Sequence, residues 1–213
     1  MNSSDPDAPS RIAGFASLDY RLSAHEKLPQ DSASTAPKEY RDARHPDHID
    51  DVRAGVSFLQ VKYGFADNYI IIGHSAGACL AFQLVAAPVK ADVSVVPPAA
   101  VIGIAGIYDF IGLDERFKGT YTAFFESAFG DTKNWDTAAP VKASLGSWDG
   151  KVILAWSKED SLVDEPEIDI MERKLRDDGF SPDVFKDLQG HHNDCWEKGT
   201  DIARLIKFGL SKI

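Results

Sequence analysis

The feature that most constrains this chain is the stretch YIIIGHSAGACLAF, which runs from Tyr69 to Phe82. Its β-branched apolar start is typical of a buried parallel strand, and its apolar end is typical of a buried helix. The pentapeptide GHSAG lies between the two, with Ser75 at its centre. The pattern predicts a strand, a sharp turn and a helix, with the Ser75 hydroxyl lifted above the carboxyl end of the strand.

The other apolar runs extend this pattern into an alternating α/β chain. Helices are predicted at 46–63, 76–86, 167–178 and 200–210, and strands at 12–20, 69–73, 99–105, 151–156 and 182–188. This alternation predicts one mostly parallel sheet with helices on both faces. We expect a single domain over residues 1–213, disordered at 1–11, with an aromatic-rich cap or substrate wall at 107–140.

A serine hydroxyl becomes a useful nucleophile only when a base takes its proton and an acid orients that base. In hydrolases with this serine turn, the acid and then the histidine follow the serine along the chain. Asp160 stands at the end of the predicted strand 151–156 and is the favoured acid. Its rival Asp164 lies farther out and is expected to cap the next helix. His191 and His192 both follow the last strand, and composition does not choose between them.

Two residues beside the serine complete the predicted turn. The N–H of Ala76, at the start of the helix, is expected to donate to a developing oxyanion. His74 is expected to pack beside the turn or tune it, and it is also a candidate substrate contact. A metal site at His191, His192 and Asp194 is disfavoured, because adjacent histidines rarely share one ion without a further ligand. We therefore expect no metal at this loop.

Composition narrows the classes of function further. The net charge is −10 and there is no block of Lys and Arg, so we do not expect a nucleic-acid partner. No apolar run is long enough to cross a bilayer, so we expect no membrane partner either. The two cysteines, Cys79 and Cys195, form no CxxC pair. Such sparse cysteine use favours a reducing compartment, and a cytoplasmic location is expected.

Five segments carry a resemblance to a known family. They are FASLDYRLS (15–23), HPDHIDDV (45–52), GHSAGACLAFQL (73–84), GIYD (106–109) and GHHNDCW (190–196). Together they resemble the kynurenine formamidases of the α/β-hydrolase type, most closely the fungal ones, from about residue 12 to the C-terminus. The resemblance implies that His192, directly before an Asn-Asp pair, is the base. It also implies that Asp160, in a S-x-x-D-x-L loop, is the acid.

The resemblance implies hydrolysis of N-formyl-L-kynurenine to L-kynurenine and formate, in tryptophan catabolism toward NAD. The partner would then be a small aryl formamide, and no metal or organic cofactor would be needed. An aromatic-rich wall would suit such a substrate, with Tyr108 and Phe110 as candidate contacts beside His74. Core packing is an equal alternative for each ring. A general carboxylesterase of the same fold and a catalytically impaired, truncated hydrolase-fold protein are alternative hypotheses, and a homodimer is a candidate assembly.

The sequence departs from the family near its N-terminus. Relatives carry an HGG motif before the strand that corresponds to 12–20, and its N–H groups complete the oxyanion hole; this chain contains no HGG. A hole reduced to the Ala76 N–H would cost about 3–4 kcal/mol at the transition state. The family's first three strands also have no counterpart. We therefore expect one of three outcomes: strand 12–20 pairs with 69–73, the chain is partly unfolded, or the sequence is incomplete. We favour the last of these.

Overall fold

The structure is a computed structural model that describes residues 11–86 and 93–213. Apart from its last residue, the segment predicted to be disordered lies outside the described residues. Within them the sheet has four strands: β1 Ile70–His74, β2 Ala100–Ile104, β3 Lys151–Ser157 and β4 Asp183–Leu188. All are parallel and lie in the order β1-β2-β3-β4. Four of the five predicted strands are thus confirmed to within a residue or two.

The helices alternate with the strands as predicted. They are α1 Asp47–Tyr63, α2 Ala76–Val85, α3 Phe110–Arg116, α4 Thr122–Phe129, α5 Trp135–Ala138, α6 Glu165–Asp177, α7 Asp194–Lys198 and α8 Thr200–Leu210. The four predicted helices correspond to α1, α2, α6 and α8. None of the helices in the described parts of the chain combines the length and apolar character that a membrane crossing requires.

Helix α1 shows how local sequence sets an element. Ile49, Val52 and Val56 recur at helical spacing, and all three are buried against Leu80 of α2. The helix ends at Gly64, which adopts a left-handed conformation with φ 68° and donates its N–H to the carbonyl of Gln60. The apolar face of α1 therefore packs against α2, the helix that covers one face of the sheet.

Helices cover both faces of the sheet. Phe82 of α2 reaches Gly103 of β2, where a β-carbon would lie 3.0 Å from the phenyl ring. Gly209 of α8 lies against the opposite face. A β-carbon there would come within 3.3–3.4 Å of δ-methyl groups from three strands, on Ile70, Ile102 and Ile153. Because Gly103 and Ile102 are neighbours in one strand, they point to opposite faces, and the predicted layering is confirmed.

The predicted strand at 12–20 is wrong. This segment makes no strand pairing, and the Phe15 side chain is 79% exposed. Leu18 packs instead on the apolar cluster of α1 and α2, and Arg21 forms a two-pronged ion pair with Asp51 of α1 at 2.9 Å. Among the described strands only β2 pairs with β1. An apolar run becomes a strand only where a neighbouring strand edge supplies hydrogen-bond partners.

Short helices fill the connection between β2 and β3. Helices α3, α4 and α5 carry most of a second apolar cluster, in which Phe110, Phe125 and Trp135 are almost fully buried. The rings of Phe110 and Phe125 stack with centroids 5.0 Å apart. The cluster continues to Cys79 of α2, beneath the carboxyl end of β1. The role of residues 107–140 as a cap or substrate wall stays a prediction.

Candidate active site

Ser75 stands at the sharp turn between β1 and α2. Its φ of 56° and ψ of −121° are unusual for a residue with a side chain, which is the strain expected at such a turn. Its backbone N–H donates to Ile104 of β2 at 2.9 Å. Although serine is a common helix N-cap, its side chain here makes no capping hydrogen bond. The hydroxyl is therefore not committed to the helix.

The turn is closed by contact between two glycines. A β-carbon on Gly73 would lie 2.1 Å from the carbonyl oxygen of Gly77, whereas a β-carbon on Gly77 would meet nothing within 4 Å. Only Gly73 is thus required for the close approach. Ala76 is the first residue of α2, so its N–H is one of those without an intrahelical acceptor. It remains available at the positive end of the helix dipole.

His192 and Asp160 form a buried pair at the carboxyl edge of the sheet. The His192 Nδ1 lies 2.7 Å from the Asp160 Oδ2, and their side chains are 9% and 1% exposed. Asp160 Oδ1 also accepts the backbone N–H groups of Leu162 and Val163 at 2.9 and 3.0 Å. Burial alone would raise the pKa of Asp160, but these hydrogen bonds outweigh it and hold the pKa below its ordinary value. The carboxylate is thus ionised and oriented toward the imidazole.

His74 joins the histidine loop to the serine turn. Its Nε2 lies 2.8 Å from the backbone carbonyl oxygen of His192, and the two ring centroids are 4.4 Å apart. Burial, followed by the proximity of His192, lowers the pKa of His74, so its neutral form is favoured. Within the described residues no hydrogen bond joins the Ser75 hydroxyl to His192. The contact through His74 nevertheless brings the His192 loop to the residue that precedes Ser75.

The structure distinguishes the two histidines and the two aspartates left open by composition. The His191 Nδ1 faces the backbone carbonyl of Glu159 at 3.2 Å, and His191 is exposed. Asp164 is the N-cap residue of α6, as expected, but its side chain caps nothing. It binds Arg116 instead. Only His192 and Asp160 face each other among these four.

Asp194 was the third candidate metal ligand beside His191 and His192, and its carboxylate has other partners. Asp194 Oδ2 accepts the backbone N–H of His191 at 2.8 Å and lies 3.1 Å from the Lys198 ammonium. In residues 11–86 and 93–213, no three His, Cys, Asp or Glu side chains cluster in a way that could hold a metal ion. The carboxylate thus stabilises the loop that carries the histidines.

Tyr108 and Phe110, two candidate substrate contacts, lie in the core. Each is 1% exposed. The Tyr108 ring packs edge-on against Phe82 with centroids 5.5 Å apart, and its hydroxyl is buried without a partner among the described residues. Phe110 stacks on Phe129 at 4.6 Å. Neither ring therefore presents a face to the surface of this structure.

Sequence reasoning missed one buried charged residue near the site. Glu167 of α6 is 0% exposed and binds the backbone N–H groups of Tyr108 and Asp109, just past β2. The available signal was Asp164-x-x-Glu167, a spacing typical of any helix start. That spacing does not tell a buried glutamate from an exposed one.

Fold comparison defines the class of protein. An esterase/lipase structure from an uncultured bacterium matches 81% of this chain with a TM-score of 0.66 at 18% identity. The chain spans 63% of that structure, which is less than two thirds of its length. Together with the parallel sheet and the strained serine turn, the match shows the α/β-hydrolase fold.

Sequence comparison then shows the family. No protein-family model matches the chain. It is 34% identical over 229 residues to kynurenine formamidase avaC of Aspergillus versicolor, covering 93% of this chain and 75% of that protein. It is 32% identical over 215 residues to kynurenine formamidase-like hydrolase fscH of Fusarium equiseti, covering 94% and 71%. The chain belongs to the kynurenine formamidase family of hydrolases, and the resemblance carried by its motifs is confirmed.

Proposed function

We propose that this chain is a serine hydrolase that converts N-formyl-L-kynurenine to L-kynurenine and formate. The observation that carries the proposal is the 2.7 Å hydrogen bond between buried His192 and Asp160, on a loop that also contacts the neighbour of Ser75. The substrate class follows from the kynurenine formamidases to which the chain is similar. A place in tryptophan catabolism toward NAD and a cytoplasmic location belong to the same proposal.

The proposed mechanism uses each group in turn. His192 takes the Ser75 proton through its Nε2, the nitrogen that does not face Asp160, and the Ser75 oxygen attacks the formyl carbon. The Ala76 N–H stabilises the oxyanion. Asp160 keeps the Nδ1 proton in place and stabilises the imidazolium.

Three proton transfers complete the cycle. The imidazolium of His192 gives its proton to the anilide nitrogen as the C–N bond breaks, so L-kynurenine leaves as the amine. His192 then deprotonates a water molecule, whose oxygen attacks the formyl ester on Ser75. The imidazolium gives this proton to the Ser75 oxygen as the acyl C–O bond breaks, which restores the serine hydroxyl and releases formic acid, ionised to formate at neutral pH. His192 is the donor or the acceptor in each of these three transfers.

Three variants test the proposal in an N-formyl-L-kynurenine assay. Ser75→Ala removes the nucleophile, and turnover and labelling by a fluorophosphonate probe are expected to disappear. Asp160→Asn keeps the shape but presents an amide to Nδ1, and kcat is expected to fall about 10³–10⁴-fold. Glu159→Gln is the matched control, since the side chain of this exposed neighbour makes no hydrogen bond with His192 among the described residues. It is expected to retain the wild-type kcat.

The same assay separates the alternatives. Activity on p-nitrophenyl esters with none on N-formyl-L-kynurenine would identify a general carboxylesterase. If the fluorophosphonate probe fails to label Ser75 in folded wild-type protein, the chain is not a serine hydrolase. A homodimer stays a prediction, to be checked by light scattering.

A further inference from the structure

The GIYD segment, 106–109, passes directly behind the serine turn. Ile107 donates its backbone N–H to the carbonyl of Ser75 at 3.4 Å. A β-carbon on Gly106 would come within 2.2 Å of the Tyr108 ring, so only glycine fits there. Asp109 in turn accepts the N–H of Gly112 and caps α3. The segment thus links the backbone of Ser75 to the start of α3.

A buried carboxylate holds this segment in place. Glu167 Oε2 accepts the N–H groups of Tyr108 and Asp109 at 2.6 and 2.9 Å, and its Oε1 lies 2.5 Å from an Arg116 nitrogen. A fully buried carboxylate is tolerated only when it is paired and hydrogen-bonded. Three donors meet that requirement here. Burial still raises the pKa of Glu167, and the three donors oppose that effect.

The same arginine also holds the loop that carries the acid. Arg116 Nε and Nη2 bind the two carboxylate oxygens of Asp164 at 2.7 and 3.0 Å, a planar two-pronged contact. Asp164 closes the 160–164 loop, whose other end is Asp160. Within the loop, the Val163 carbonyl accepts the indole N–H of Trp156 at 2.8 Å. Hydrogen bonds therefore hold the loop at both ends and at Val163.

We propose that Arg116 and Glu167 are positioning residues that fix the serine turn and the Asp160 loop relative to each other. The Arg116–Glu167 pair joins two segments that do not otherwise share a hydrogen bond among the described residues: 106–109 behind Ser75, and 160–164 beside His192. Neither residue touches the reacting atoms. Both act by keeping the nucleophile and the orienting acid in their correct relative positions.

The test uses conservative variants in the full chain, with two readouts. Arg116→Lys keeps the positive charge but removes the planar fork, and Glu167→Gln keeps the shape but removes the negative charge. Arg176→Gln is the control, because this exposed arginine pairs with Glu172 on the same helix. The first readout is the rate at which a fluorophosphonate labels Ser75, across pH. The second is the downfield proton resonance of the His192–Asp160 hydrogen bond.

We expect Arg116→Lys and Glu167→Gln to lower the labelling rate about 10- to 100-fold, because a small displacement of reacting groups has effects of that size. Both should shift or broaden the downfield resonance, and Arg176→Gln should do neither. If Glu167→Gln fails to fold, Arg116→Lys carries the test. The proposal is overturned if the folded variants keep the wild-type resonance and labelling rate.

The inference rests on the proposed function only through the labelling rate. Wild-type protein that is not labelled would count against the proposed function. The resonance would still test the positioning role in that case, because the hydrogen bond exists whether or not Ser75 reacts. An unchanged resonance in folded Arg116→Lys protein would then be enough to reject it.

Discussion

At the scale of single residues, Tyr108 carries a polar group that the surrounding structure does not use. Its hydroxyl is buried without a hydrogen-bond partner among the described residues and lies close to Gly103 and Gly106. A buried unpaired hydroxyl costs about 1–3 kcal/mol, so a ring without it would suit the site at least as well. The backbone N–H of the same residue, by contrast, is well paired with Glu167.

Replacing Tyr108 with phenylalanine is therefore expected to leave the melting temperature unchanged or raise it, because it removes an unpaired group and keeps the ring. The KM for N-formyl-L-kynurenine is also expected to stay within about twofold of wild type, since a buried ring cannot contact a substrate. Thermal unfolding and steady-state kinetics check the two expectations. A KM that rises several-fold at unchanged stability would indicate instead that Tyr108 contacts the substrate.

At the scale of elements, the strand–turn–helix unit depends on one of its two glycines. Gly73 lies one residue before the end of β1, where the backbone of Gly77 passes so close that no side chain fits, while Gly77 faces open space. Both glycines flank the serine symmetrically in sequence, yet only the first is sterically required. This asymmetry gives a matched pair of variants that differ in position alone.

We expect Gly73→Ala to destabilise the protein by about 4 kcal/mol or more, since a β-carbon would overlap the Gly77 carbonyl and force β1 and α2 apart. Gly77→Ala adds a methyl group into free space on a helix and is expected to be neutral or slightly stabilising. Urea unfolding followed by circular dichroism compares the two. Equal stability of both variants would show that the turn opens without cost.

Elements with a clear local pattern of apolar residues were predictable from sequence, but whether an apolar run finds a neighbouring strand was not. Helix α1 and strands β1 to β4 follow from apolar spacing and from glycine signals at their ends. Residues 12–20 have a strand-like composition, but a strand also needs a partner edge, and sequence does not reveal where that edge lies. The segment instead lies against α1, held by Arg21.

Some residues of the candidate site were likewise predictable from sequence, and others were not. The strand–turn–helix pattern around GHSAG singled out Ser75, and the order of serine, acid and histidine along the chain favoured Asp160. The structure pairs Asp160 with His192. The choice between His191 and His192 depends on which way two adjacent side chains point, which composition does not encode. The Arg116–Glu167 pair was not predicted, because Glu167 becomes buried only where α3, α6 and the 106–109 segment meet.

At the scale of the whole molecule, two effects act in opposite directions as the pH falls from 7 toward 5. The chain carries a net charge of −10 and has a pI near 5.0, so acidification relieves repulsion between carboxylates and favours the folded state. Burial, however, lowers the pKa of His45, His48 and His74 in the folded protein. The unfolded chain then binds more protons than the folded one, so these histidines favour unfolding as pH falls.

We expect the histidines to dominate, because buried groups are screened much less than exposed surface charges. The sign follows from linkage: a lowered pKa contributes stability that is present above the ordinary histidine pKa, about 6.5, and is lost as pH falls through the folded value. The melting temperature should therefore fall steadily between pH 7.5 and 5.5 at constant ionic strength.

His45→Gln should flatten that slope, since the His45 Nδ1 is buried without a partner among the described residues. A melting temperature that rises on acidification would mean that relief of charge repulsion outweighs the burial of the three imidazoles.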